Sequence, residues 1–328
     1  MIDERRIIFI LGTPRSGTSW ASSTFELLPK SCVLFEPDVP RRYESPWRDQ
    51  VTPYWSADQY VIRANSATEA SRELAKPVIQ HLEYVIQSEA KSEDEVVVIK
   101  IPRLEKMPYL LDHFQPSHVF FMLRNPYAIL NSYERYGLLK RLRPTIEYEF
   151  NQLKSGAPEF GIEYDFDRAR TIEQKHALLT AVRHQLAPIL LESYPHSFVN
   201  YEEMCFNPAD RYRDMFEQAN LVWSEEIGRV ITEKSQATEE GASFHSVVKR
   251  SETRAHGWRQ KLSPAIVDSV REMFAELGIE DSTPPLTEEE RKIAVDYHAG
   301  RTRKLKRDNV LNKLHHLKLK LMGKDART

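Results

Sequence analysis

The sequence predicts a three-layer α/β fold, with a central parallel sheet flanked by helices on both faces. Three observations predict it. Short apolar runs, rich in Val, Ile and Phe, recur through the first 200 residues. Helical periodicity or a helix-start signal follows most of them, and that alternation builds parallel sheets. Arg15, Glu36, Lys100, Arg124 and Tyr201 stand at or just past the ends of these runs. In an open α/β sheet the ligand lies beyond the carboxyl ends of the strands.

The first run, Ile7 to Leu11, reads as a buried parallel strand. A turn follows from Gly12 to Gly17, and Thr18 to Leu28 reads as a helix. Strand, glycine-bounded loop and helix together make a phosphate cradle. Backbone N–H groups face an anion there, and the helix dipole favours negative charge. The nucleotide-triphosphate loop reads G-x-x-x-x-G-K-[ST]. Gly12, Gly17 and Ser19 fit that spacing, but Thr18 replaces the lysine. The cation sits inside the loop instead, as Arg15. The stretch is therefore P-loop-type, but suited to a phosphate-like ligand held differently from ATP. A strand-turn-helix corner with an incidental glycine pair would give the same letters.

Ser31 to Phe35 reads as a second strand, ended by Glu36-Pro37. Residues 37–57 have no period and read as a long ordered loop over the sheet edge, a length that usually serves a site. Residues 66–90 have helical spacing, with Leu74, Val78, Leu82, Val85 and Ile86 on one face. Glu95 to Ile101 is a buried strand interrupted by Lys100, and a helix to about His113 follows. Val119 to Leu123 is the next core strand, and Pro126 suits the first turn of the helix after it. Residues 138–170 read as an irregular insertion. Ile172 to Tyr194 reads as a long helix bent by Pro188, and Ser197 to Tyr201 as the last strand. Helices are expected over 208–220, 224–233, 264–277, 286–298 and 303–322, with a basic loop over 242–258.

Composition narrows the function. A chain of 328 residues with 41% hydrophobic and 29% charged residues has ample length for a core. The net charge of −2 hides an asymmetry. Residues 301–328 hold ten Lys/Arg against two Asp/Glu, leaving 36 basic and 46 acidic residues elsewhere. That acidic body disfavours nucleic acid as a partner. Cys32 and Cys205 read as buried free thiols, with neither a disulfide framework nor zinc spacing. No apolar run approaches 18 residues, and the first strand begins by residue 6, so a cytoplasmic protein without a signal peptide is expected.

Two phosphate-binding segments carry a resemblance. Pro14-Arg-Ser-Gly-Thr-Ser-Trp20 resembles the 5′-phosphosulfate loop of the sulfotransferases, which use 3′-phosphoadenosine-5′-phosphosulfate (PAPS). Val119 to Ser132, with its apolar strand, Arg124-Asn-Pro and helix serine, resembles their 3′-phosphate motif. A guanidinium and a hydroxyl so spaced can share one phosphate. The resemblance implies that Arg15, Ser16, Gly17, Thr18 and Ser19 hold the 5′ end. It implies that Arg124 and Ser132 bind the 3′-phosphate, and that Trp20 and Tyr201 lie at the adenine. Phe198 to Pro208 is similar to the family's Tyr-Glu-Asp-Leu/Met segment. Ala242-Ser-Phe244, a basic stretch and Trp258 resemble the region that closes over the nucleotide. The family's Arg-Lys-Gly is absent there, which leaves Lys249, Arg250 and Arg254 as candidates for the 3′-phosphate. The resemblance covers roughly residues 6–280.

Sulfuryl transfer builds charge on the oxygen that leaves with the nucleotide. Arg15 and Lys100 are the candidate stabilising cations. A lysine ending a Val-Val-Val-Ile strand is costly unless its ammonium finds an anion or water. An edge lysine snorkelling to solvent is the plainer reading. The family's Lys-Thr-His segment reads Lys100-Ile-Pro here, so its catalytic histidine is missing. Glu36 is the candidate general base. Leu34-Phe-Glu-Pro37 is similar to a segment of the carbohydrate sulfotransferases, which implies a carbohydrate or glycolipid acceptor. Pairing of Glu36 with Arg41 or Arg42 is the structural alternative, and His245 is the substitute base. No metal is expected. A P-loop kinase of nucleotides or small molecules is the second reading, opposed by Thr18.

The domain expectation is a sulfotransferase domain over 1–285 and a helical, basic extension over 286–328. Val310, Leu311, Leu314, Leu317 and Leu321 share one face of that extension, with lysines around them. Such a helix can lie on an anionic membrane, or pack on the body or on a second subunit.

Overall fold

The structure, a computed structural model, describes residues 5–39, 42–51, 69–91, 93–105, 107–236 and 252–301. Five strands form its sheet: β1 (Arg6–Gly12), β2 (Ser31–Phe35), β3 (Val96–Lys100), β4 (His118–Leu123) and β5 (His196–Asn200). All neighbouring pairs are parallel, in the order β2-β3-β1-β4-β5. The chain thus winds from β1 to one edge and then to the other. β1 lies at the switch between the two directions, where a crevice opens in such sheets.

The strands bury both faces, as their unbroken apolar runs require. Alternation decides which residue faces which layer. Ile7, Phe9, Leu11, Val97, Ile99, Val119 and Phe121 join one core. That core holds side chains of the helices Glu69–Glu89, Met107–Phe114, Pro126–Arg135, Arg143–Gly156 and Ile172–Leu191. Ile8, Ile10, Val98, Phe120 and Met122 face the other core, with residues of Thr18–Ser23, Tyr201–Phe206 and Pro208–Gln218. Fully burying each such aliphatic or aromatic side chain contributes about 1.5–3 kcal/mol.

Several elements differ from expectation. The first helix is short: Thr18–Ser23 tightens into a 3-10 turn at Thr24–Leu27. Pro29 follows, and the extended backbone of Leu28 is what a residue before proline prefers. Residues 138–170 are not irregular. They form the helices Leu138–Arg141 and Arg143–Gly156, then 3-10 turns at Ala157–Phe160 and Phe166–Arg168. Ile146, Phe150 and Leu153 are buried at helical spacing there, a sparse stripe among polar residues. The helix from Ile172 ends at Leu191, and Tyr201 opens a helix rather than closing β5. Cys205 is buried, but Cys32 only partly; neither is in a disulfide.

Residues 286–301 pack on the body. Leu286 belongs to the larger core, and a helix runs over 288–301. Arg259 holds Glu290 through two nitrogens at 2.5 and 2.8 Å, and Arg291 holds Asp268 at 2.8 Å. The stripe from Val310 to Leu321 lies outside the described residues.

The long helix Ile172–Leu191 starts on a full capping box. Thr171 accepts from the Gln174 N–H, and the Gln174 side chain accepts from the Thr171 N–H. Thr171→Ala should lower stability by about 1 kcal/mol in urea unfolding, because one N–H loses its cap. Ligand affinity should stay unchanged.

Candidate active site

The loop after β1 is built on two backbone constraints. Gly17 caps the helix Thr18–Ser23 at φ 102°, and Arg15 has φ 75°. A Cβ on Gly17 would stand 2.2 Å from the Tyr201 ring. Only glycine lets the loop and the start of the Tyr201–Phe206 helix approach so closely. A left-handed conformation at a non-glycine residue is costly, and such residues concentrate at functional sites.

Arg15 joins the loop to the strand-end residues of β4. Its Nε donates to Ser132 Oγ at 2.9 Å. Its carbonyl accepts from Arg124 Nη1 at 2.7 Å. Arg124 in turn lies 4.0 Å over the Tyr201 ring, and Arg15 lies 5.3 Å over that of Tyr136. Burial presses the Arg15 pKa down; Tyr136 opposes that, and Arg124 adds to it. An arginine still remains charged. Two guanidiniums close together in a half-buried cleft favour an anion between them.

The polar atoms left over fit such an anion. Thr13 Oγ1, Ser16 Oγ and Arg124 Nε are buried without a hydrogen-bond partner among the described residues. Buried polar atoms are rarely left so. A phosphate-like group with several acceptor oxygens would satisfy donors of this kind.

Beside this cradle lies a second set, placed by strand order. β2 sits next to β3, with Phe35 opposite Lys100. Glu36 therefore follows directly beside Lys100. Its N–H donates to the Lys100 carbonyl at 2.7 Å, and its backbone turns left-handed at φ 50°. Lys100 Nζ donates to Glu36 Oε1 in a short contact, and Arg42 Nη2 lies 2.9 Å from Oε2. Lys100 does not snorkel to solvent; its ammonium is buried against the carboxylate. Burial alone would raise the Glu36 pKa, but Lys100 and Arg42 prevail and hold it below the carboxylate range. Burial lowers Lys100, against the pull of Glu36. Further along, Arg103 Nε donates to Asp38 Oδ2 at 3.0 Å.

A cavity of about 440 Å³ opens against Glu36 and Pro14. Tyr133, Ile146, Arg103 and His176 are among its walls. It is large enough for a small organic molecule.

The structure thus brings Arg15, Gly17, Arg124, Ser132 and Tyr201 together, and Glu36 with Lys100. Ser16 and Thr18 are buried in the loop, with Ser19 partly so. Trp20 is 7% exposed and meets Tyr201 and Tyr212 edge-on, at 5.8 Å to each ring. Arg254 lies on the helix Glu252–His256, where its charge acts on Tyr201 and Cys205. His245, Lys249, Arg250 and Arg41 lie outside the described residues. Sequence reading missed Tyr136, Asp38, Arg103 and His176. The offsets Glu36 to Asp38 and Lys100 to Arg103 become a signal only once β2 and β3 are known to be neighbours.

Comparison with known proteins bears on this geometry. The sequence profile of the sulfotransferase family matches residues 7–225. The chain belongs to the sulfotransferase family. The matched span runs from β1 past β5 and includes Arg15, Glu36, Lys100, Arg124, Ser132 and Tyr201. The kinase reading is not favoured. Solved structures match at low identity. The sulfotransferase domain from the curacin biosynthetic pathway is 14% identical, with a TM-score of 0.44 over 89% of this chain and 97% of that one. Sulfotransferase STF9 from Mycobacterium avium is 15% identical, with a TM-score of 0.46 over 87% and 79%. Mouse sulfotransferase SULT7A1, solved with PAP, is 13% identical, with a TM-score of 0.42 over 84% and 85%. A comparison with curated protein sequences found no match.

The Gly17 constraint is testable. Gly17→Ala should destabilise the fold by about 2–4 kcal/mol, from left-handed strain plus the clash with Tyr201. Gly137 is a matched control, with φ 65° and nothing within 4 Å of the place a Cβ would take. Gly137→Ala should cost only about 1–2 kcal/mol. Equal losses in thermal unfolding would refute the close-approach argument.

Proposed function

We propose that this sulfotransferase is PAPS-dependent and moves the sulfuryl group to an acceptor hydroxyl of a carbohydrate or glycolipid, by in-line displacement. One observation carries the reading. The two phosphate-binding segments are physically joined, with Arg15 bonded to both Arg124 and Ser132. A donor with two separate phosphate positions suits that arrangement better than a single triphosphate does.

In this reading the 5′ end rests on Arg15, Ser16, Gly17, Thr18 and Ser19. The 3′-phosphate takes Arg124 and Ser132, with Arg250 and Arg254 as further cations. Trp20 and Tyr201 border the adenine. The donor supplies an activated sulfuryl group: its S–O bond to phosphate breaks as the acceptor oxygen bonds sulfur. Arg15 and Lys100 stabilise charge on the departing oxygen. Glu36 accepts the acceptor's proton. A carboxylate held low by two cations is a weak base. Anionic donor groups near Lys100 offset that depression, so donor binding strengthens the base.

The chemistry belongs to the domain over 1–285, on which the start of the extension over 286–328 packs, and the basic remainder of that extension provides a membrane or subunit contact. Cys32 and Cys205, neither of them in a disulfide, suit a reducing, cytoplasmic setting. The partner is a small-molecule or glycan acceptor, not nucleic acid.

Calorimetry in chelator should show PAP binding without metal and far more tightly than ATP. Tight, magnesium-dependent ATP binding would overturn the proposal. Arg124→Ala should weaken PAP by about 1.5–3 kcal/mol, the range for a charged hydrogen bond.

Glu36→Gln should keep PAP affinity while turnover, measured well below its melting temperature, falls roughly 10²-fold or more; the melting temperature itself should drop, because Lys100 loses its buried partner. Against the effect of burial, Lys100 and Arg42 hold the Glu36 carboxyl below its ordinary value in the free protein, so its base form persists to correspondingly lower pH. Activity as kcat/KM should therefore fall only as pH drops through this lowered value, and the variant should lose that acidic limb. Near-full turnover by the variant would make Glu36 structural.

A further inference from the structure

The cavity beside Glu36 holds polar groups that the transfer reaction does not use. Asp38 and His176 both line it, at 1% and 2% exposure. Asp38 Oδ2 is taken by Arg103, but Oδ1 has no hydrogen-bond partner among the described residues. His176 Nδ1 has none either. Burial, with the charge of Arg183, pushes His176 down to about 3. The ring is therefore neutral near pH 7, and one of its nitrogens offers a lone pair. A buried carboxylate oxygen and a buried imidazole nitrogen facing one cavity call for a ligand with hydroxyls, which donate to the first and pair with the second in either tautomer.

The other walls restrict that ligand further. Pro14, Val39, Leu142 and Ile146 are apolar, and the Tyr133 ring lies 4.1 Å from that of His176. Four carboxylates line the cavity: Glu36, Asp38, Glu105 and Glu149. Its two guanidiniums are already engaged, Arg103 by Asp38 and Arg183 by Glu105 and Glu149. An anionic acceptor would find no cation in the lining that is not already paired with a carboxylate. A pyranose has an apolar C–H face and a rim of hydroxyl donors, and carries no charge.

Resting on the sulfotransferase reading above, we propose that this cavity selects an uncharged, pyranose-sized polyol. Hydroxyls other than the one sulfated donate to Asp38 Oδ1 and pair with a ring nitrogen of His176. Acceptors bearing carboxylate or sulfate are excluded.

The test uses the full chain saturated with PAP, titrated calorimetrically with three probe sets. These are methyl pyranosides of the common neutral hexoses, the corresponding methyl uronides, and cyclohexanol as a monohydroxy ring. At least one neutral pyranoside should bind roughly tenfold or more tightly than its uronide and than cyclohexanol, the scale of one net hydrogen bond. His176→Phe and Asp38→Asn should each weaken that pyranoside by about tenfold, with PAP affinity and melting temperature kept as controls. If one variant fails to fold, the other and the probe comparison still decide. The proposal falls if no neutral pyranoside binds the PAP complex, if a uronide binds better, or if neither variant changes pyranoside affinity. Failure of the wild-type protein to bind PAP is a separate result, which removes the enzymatic reading along with this one.

Discussion

The hydrogen bond from Arg124 to the carbonyl of Arg15 is the constraint on which the site depends. It pins a left-handed loop residue to the end of β4. Without it the Arg15 side chain would have no fixed origin from which to reach Ser132. Arg124 is itself held against the Tyr201 ring, and that ring fills the space beside Gly17. The loop, β4 and β5 are thereby locked by one chain of contacts. Each link needs the others, so the cradle is preorganised before a ligand arrives. That is how electrostatic stabilisation avoids reorganisation cost at the moment of reaction.

The Glu36–Lys100 pair follows a different logic. Each group is buried enough to need the other, and while paired neither is available for its proposed task. A buried ion pair is weak evidence for stability, since desolvation offsets much of the attraction. Its placement is better understood as mutual storage. The carboxylate keeps the lysine charged in a low-dielectric corner, and the lysine keeps the carboxylate ionised.

Much of this was legible in the sequence. The five strands and the loop glycines follow from apolar runs and spacing. Arg15, Arg124 and Tyr201 are found by asking what stands at a strand's end. The helix Arg143–Gly156 was missed because its buried residues, Ile146, Phe150 and Leu153, are diluted by polar ones. The partnership of Glu36 with Lys100 could not be read, since 64 residues separate them. Only the strand order makes them adjacent. His176 was invisible for a related reason. It lies inside an ordinary helix, and its significance comes from the cavity that the helix happens to border.

The docking of the C-terminal helix has a consequence for how the chain can be cut or extended. Arg301 donates to the carbonyls of Glu134 and Arg135, at the end of the helix that carries Ser132. His298 holds the Lys261 carbonyl from the same helix. The last described turn therefore finishes a helix begun far upstream, supplying donors that its own sequence lacks. Ser132 is less than one turn from that junction. A boundary drawn at residue 285 for expression, or a fusion partner attached there, would leave those carbonyls open. The disturbance would enter the proposed nucleotide cradle from behind, through a helix that no alignment of binding motifs would flag.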